Sequence, residues 1–130
     1  MGLAEGIGKV VVTPGERKLH VVVDPAIASY ARALVPIAQR VRLSPPRFAP
    51  HITVIRNEEW AFNPELDGTE VEFQYDPMVV PGEVYWWLRV WSPDLIRLRV
   101  GEGLPELSDL CRPPDMEDCF HITIGNTKGR

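Results

Sequence analysis

Two of the three histidines in this chain open the same tripeptide, His-Ile-Thr, at 51–53 and again at 121–123, seventy residues apart. Each tripeptide is followed by a β-branched residue, Val54 or Ile124. In a strand, side chains at i and i+2 share a face. His51 and Thr53 therefore point one way, with Ile52 and Val54 pointing toward a core. His121 with Thr123, and Ile122 with Ile124, repeat the arrangement. If the two strands meet across a cleft, that cleft holds two imidazoles and two hydroxyls. Imidazole titrates near neutrality, so one ring can take a proton from an attacking hydroxyl or water while the other gives a proton to a leaving oxygen. The threonine hydroxyls can donate to phosphoryl oxygens, where negative charge must be held. This is the equipment of phosphodiester chemistry without a metal.

The paired H-x-T motifs, each in a hydrophobic strand and about half a chain apart, resemble those of the two-histidine (2H) phosphoesterase superfamily. That group includes 2′-5′ RNA ligase-like proteins, cyclic nucleotide phosphodiesterases and viral enzymes that degrade cyclic oligonucleotide signals. The wording PHITV and FHITIGNTKG also resembles small phage proteins described as RNA-repair-like. The resemblance implies an α+β, bilobal fold in which two antiparallel sheets flank a central groove, with helices on the outer faces. It implies one domain over residues 1–130, made of two pseudo-symmetric lobes that each contribute one H-x-T strand. It assigns catalysis to His51, Thr53, His121 and Thr123, with no cofactor and no metal. The substrate expected is a small nucleotide, either a cyclic oligonucleotide signal or a 2′,3′-cyclic phosphate at an RNA end.

Other residues are weaker candidates. Tyr85, Trp87, Arg89 and Trp91 share one strand face, and could stack bases with Arg89 near a phosphate; a two-sided core strand explains them as well. Arg56 and Arg47 flank the first motif and could attract phosphate, although surface solvation accounts for each alone. His20, in L-H-V-V-V without a threonine partner, reads as structural. H-x-T offers no second metal ligand, and no Cys or carboxylate cluster lies at metal spacing. A rival from another class is a binding module, a sponge or sensor that holds a phosphate or nucleotide without cleaving it. A third reading is an interaction protein with incidental histidines.

The elements that must position these residues follow from local patterns. Residues 9–13 and 19–23 read as antiparallel strands joined by a type II turn at Pro14-Gly15. Asp24-Pro25 reads as a helix start. Ile27, Ala31, Leu34, Ala38 and Val41 make one helical face, with Pro36 expected to kink or end it. Residues 44–50, rich in proline, form a stiff lead into the first motif strand. Residues 57–68 read as a loop with Trp60 and Phe62 as anchors. Residues 70–76 alternate as a half-buried strand, and 84–91 form another whose Val84 face reads as core. Ser92-Pro93 starts a helix that stops at Gly101 or Gly103, although 96–100 also fits strand alternation. Residues 104–118 read as a surface loop and 120–124 as the last strand. Lys128 and Arg130 read as mobile.

Composition bounds the rest. The chain has 130 residues, 45% hydrophobic and 25% charged, which suits one globular domain and excludes a disordered chain or coiled coil. Its formal charge of −4 and lack of a basic run argue against gripping long nucleic acid. A small anionic ligand in a local pocket stays open. No apolar run approaches a membrane span and no secretion signal leads the chain. Cys111 and Cys119 are too few for a disulfide scaffold, so the expected setting is the cytoplasm (of the host, for a viral protein) with reduced thiols.

Overall fold

A computed structural model describes residues 2–128. In chain order its elements are β1 (Ala4–Val12), β2 (Lys18–Val22), α1 (Pro25–Gln39), β3 (His51–Arg56), a 3-10 turn (Pro64–Leu66), β4 (Glu70–Tyr75), β5 (Tyr85–Trp91), α2 (Pro93–Gly101) and β6 (Phe120–Asn126). The six strands close into one antiparallel barrel in the order β1-β2-β3-β6-β5-β4. This corrects the α+β bilobal fold expected from the resemblance. A single ring of strands stands where two sheets flanking a groove were anticipated.

The reason lies in β1. Expected over residues 9–13, it begins at Ala4 and pairs along two edges. Lys9 to Val12 meet β2, and Ala4 to Lys9 meet Glu70 to Tyr75 of β4. The second set of bonds, with the β4–β5 pairs Gln74–Trp91 and Tyr75–Val90, closes the ring. Gly6 and Gly8 disguise this half of the strand, because glycine is depleted in strands. Both positions have no room for a side chain. A Cβ on Gly6 would lie 2.4 Å from the Phe73 ring, and one on Gly8 would lie 2.4 Å from Val21 and 2.7 Å from the Val22 carbonyl oxygen.

The order β-β-α-β occurs twice, first as β1-β2-α1-β3 and then as β4-β5-α2-β6. Exchanging the halves maps the ring order onto itself. The implied two-fold passes between β3 and β6, where Ile52 pairs with Ile122. These are equivalent positions of the two His-Ile-Thr repeats.

One face of the strands lines the core, and Ile52, Val54, Ile122 and Ile124 are fully buried on it. Helix α1 starts where Asp24 accepts a hydrogen bond from the Ala26 N–H. Its buried face is Ala28, Ala31 and Val35, while Leu34 of the expected stripe is exposed. Pro36 does not break it: the helix continues to Gln39 and ends at Arg40, whose N–H donates to the Pro36 carbonyl. Arg32 donates to the Ile124 carbonyl at 2.8 Å, tying α1 to β6. Helix α2 settles the ambiguity over residues 96–100, because the Ser92 hydroxyl caps the Leu95 N–H and Pro93 occupies the first turn.

Arg99 of α2 is fully buried. Nη1 and Nη2 form a fork on the Glu58 carboxylate at 2.8 and 2.7 Å, Nη1 also donates to the Val54 carbonyl at 2.7 Å, and Nε donates to the Pro105 carbonyl at 2.8 Å. The cation is thus paired and hydrogen-bonded, the condition for carrying charge into a core. It fixes β3 one residue beyond Thr53. Trp60 is the buried anchor of the 57–68 loop, with Nε1 donating to Glu102 at 2.9 Å; Phe62 is exposed but packs beside it. The 104–118 segment is only partly a surface loop, since Cys111 is fully buried. Lys128 is held in place, its ammonium donating to the Tyr85 hydroxyl at 2.7 Å, and Arg130 lies outside the described residues. Among the described residues, no helix is long and apolar enough to cross a membrane.

Candidate functional site

Stepping from the Ile52–Ile122 pair sets His51 opposite Thr123 and Thr53 opposite His121. All four lie on the strand face turned away from Ile52 and Ile122, and all are half-buried. Neighbouring strands extend the pattern. On β2, His20 pairs with Thr53 and Val22 with His51; on β5, Arg89 pairs with His121 and Trp87 with Thr123. Two transverse rows result, His20–Thr53–His121–Arg89 and Val22–His51–Thr123–Trp87. His51 and His121 are diagonal neighbours across the seam, a relation that spans about 7–8 Å between backbones and is within reach of long side chains.

The two imidazoles have different surroundings. Nδ1 of His51 lies 2.9 Å from the Ala49 carbonyl oxygen. That oxygen can only accept, so Nδ1 carries a proton and Nε2 is the nitrogen left to exchange one with a ligand. The Pro-rich lead thus places a carbonyl that orients the ring. His121 is more enclosed. Burial, and to a lesser degree the charge of His51, push its pKa down to about 4; the Cys111 carbonyl and the Asp115 carboxylate oppose the shift without cancelling it. Its Nδ1 is buried without a hydrogen-bond partner. The 104–118 segment passes beside this ring, and Glu117 from it reaches Arg89, with 2.8 Å between Oε2 and Nε. The Thr53 and Thr123 hydroxyls make no hydrogen bond to another group among the described residues.

His20 is not an isolated structural histidine. Its ring meets that of His51 edge to face, with centroids 5.2 Å apart. Burial first, then the His51 charge, lower its pKa. The sequence carried one clue to this. His20 falls on the same alternation as Lys18 in a strand adjoining the motif, but nothing local identified β3 as its partner.

The Tyr85–Trp87–Arg89 platform does not form. Trp87 is buried, with Gly82 packed so closely on its indole that a Cβ there would lie 2.6 Å from the ring, while Val80 pairs with its backbone, Val80 N–H to the Trp87 carbonyl at 2.8 Å and the reverse bond at 3.2 Å. Arg89 is held between Asp76 at 3.4 Å and Glu117, so its charge is already neutralised. Tyr85 is occupied by Lys128. Trp86, Leu88 and Val90 on the opposite face are core, although Val84 itself is exposed. Arg56, by contrast, borders the open side of the site.

A cavity of about 420 Å³ adjoins His51 and is lined by His20, Thr53, Lys18, Arg56 and Phe48 among others. A larger cavity, about 870 Å³, lies elsewhere, between β1, β4 and the helix starts. It carries Glu5, Asp24, Glu72 and Asp94 against one arginine, Arg97, a field that repels phosphate. Among the described residues, no three His, Cys, Asp or Glu side chains converge as metal ligands. Comparison with family models, with curated proteins and with solved structures finds no match.

Proposed function

We propose that this chain is a metal-independent phosphodiesterase of the two-histidine type, acting on a small nucleotide, either a cyclic oligonucleotide or a 2′,3′-cyclic phosphate at an RNA end. The observation that supports the reading is the Ile52–Ile122 pairing, which brings two separated H-x-T tripeptides onto one face of adjoining strands. An accidental repeat has no reason to meet at equivalent positions on a two-fold.

The division of labour follows from the two environments. His121, whose pKa lies near 4, is neutral at physiological pH and starts as the base. Its unprotonated ring nitrogen takes the proton from a ribose 2′-hydroxyl or a water as that oxygen bonds to phosphorus. The proton for the leaving oxygen comes from Nε2–H of a His51 imidazolium, whose Nδ1–H donates to the Ala49 carbonyl and so holds the ring in orientation; the ring is left neutral with its lone pair on Nε2. Thr53 and Thr123 donate to the non-bridging oxygens. Attack by the 2′-hydroxyl yields a 2′,3′-cyclic phosphate and a free alcohol; opening of that ring by water runs the proton transfers in the opposite sense. Cys111 and Cys119 are free buried thiols, in keeping with a reducing cytoplasm.

One observation favours the binding module instead: Cys111 and Asp115 of the 104–118 segment lie against His121, so the site can hold phosphate beside His51 without bringing it to the second ring. The deciding experiment incubates cyclic di- and trinucleotides, 2′,3′-cyclic nucleotides, and 2′-5′ and 3′-5′ oligomers with the protein and analyses products by mass spectrometry. Turnover is expected to fall at least about a hundredfold in His51→Ala and in His121→Ala, with EDTA without effect. Binding without product over hours supports the module. Turnover that survives both substitutions, or that EDTA abolishes, overturns the His/His mechanism.

A further inference from the structure

The charges on the two sides of the histidine pair are unequal. Beside His121, Arg89 is neutralised by Asp76 and Glu117. Beside His51, the cavity wall carries Lys18 and Arg56, cross-strand partners on β2 and β3. Both are exposed, and neither forms an ion pair among the described residues. A register shift between Leu19 and His20 buries both Val54 and Ile55, which turns Arg56 to the same side as Lys18 and His20. Glu16 is the one carboxylate on this wall. The same cavity holds the Phe48 ring, 69% exposed, with the Arg47 guanidinium 5.6 Å from its centroid. The ring thus stands open to a ligand in a concave site beside two cations without ion-pair partners among the described residues.

Resting on the phosphodiesterase reading above, we infer that Lys18, Arg56 and Phe48 form a second subsite, which takes the neighbouring phosphate and base of a substrate whose scissile phosphate lies between His51 and His121. Thr53 and Arg56 lie three residues apart across the register shift, at most about 10 Å of strand, within the span of one nucleotide unit. At about 420 Å³ the cavity is of ligand size. His20, between the two subsites, is held toward its neutral form, so the charge that attracts the second phosphate comes from Lys18 and Arg56. The preferred substrate therefore carries at least two phosphates, as a cyclic or a linear oligonucleotide, in preference to a mononucleoside cyclic phosphate. Phe48 supplies a face on which any base can stack.

The test separates this subsite from the catalytic reading by measuring binding without turnover. Wild type, Lys18→Ala/Arg56→Ala and Phe48→Ala are titrated by calorimetry with three probes that lack an attacking 2′-hydroxyl: a 2′-O-methyl trinucleotide, a cyclic di-2′-deoxynucleotide and a 2′-O-methyl nucleoside 3′-monophosphate. The double substitution is expected to weaken a two-phosphate probe at least about tenfold more than the monophosphate. It should also flatten the salt dependence of binding by about 1.4 in log–log slope, two released cations at 0.7 each. Phe48→Ala should weaken the same probe without changing that slope. The cyclic and linear arms show which form is preferred. Equal loss for all three probes, or no binding of any two-phosphate probe to wild type, overturns the subsite. Absence of cleavage of a 2′-hydroxyl substrate overturns the catalytic reading and leaves these binding ratios to be judged by themselves.

Discussion

The enclosure of His121 makes a quantitative demand on stability. Its pKa is pushed from the ordinary 6.5 down to about 4, mainly by burial. Above pH 6.5 the ring is neutral in both folded and unfolded chains, and its contribution to stability is fully present. As pH falls below 6.5 the unfolded chain takes up a proton that the folded chain refuses, so stability declines until the folded ring titrates near pH 4. Each unit in that window costs about 1.4 kcal/mol. Between pH 6.5 and about 4.5 the loss is about 2–3 kcal/mol, a large part of the roughly 5–15 kcal/mol that holds a domain of this kind together. His20, lowered in the same direction by burial and by His51, adds to the effect. The measurement is urea unfolding at intervals across this range for wild type and for His121→Gln, which cannot titrate. Wild type should lose about 2 kcal/mol more than the variant, and the His121 ring protons should show an NMR titration midpoint near pH 4. Parallel stability curves, or a midpoint above 6, would refute the enclosed, neutral base on which the division of roles rests.

Two further outcomes follow from the frame. Arg99→Met leaves the Glu58 carboxylate and the Val54 carbonyl without their donor, and should cost about 3–5 kcal/mol, or roughly 10–18 °C in melting temperature for a chain this long. The pair Arg99→Met/Glu58→Met should recover most of that loss, and a double variant no better than the single one would show that the buried ion pair is not the cause. Gly6→Ala places a methyl against the Phe73 ring and should destabilise by about 1–3 kcal/mol; Phe73→Leu in the same chain should restore part of it in thermal melts, and no change on either substitution would contradict the closure of β1 onto β4.

The sequence by itself determined the repeated His-Ile-Thr pattern, the shared face of each histidine and threonine, both helix starts and most strand positions. These depend on neighbours a few residues apart, where strand alternation and capping act directly. Tertiary structure alone decided how the strands met. Ring closure depends on Ala4 to Lys9 finding β4 across more than sixty residues, through glycines chosen for close packing and poor in local strand signal. The third histidine became a site neighbour because β2 lies against β3, a pairing invisible in L-H-V-V-V. The aromatic platform failed for the converse reason. Alternation placed Trp87 and Arg89 on the expected face, but the segment carrying Gly82 covered the one and two distant carboxylates neutralised the other. Face and period are local quantities, whereas burial, charge compensation and proton affinity belong to whatever the folded chain brings alongside.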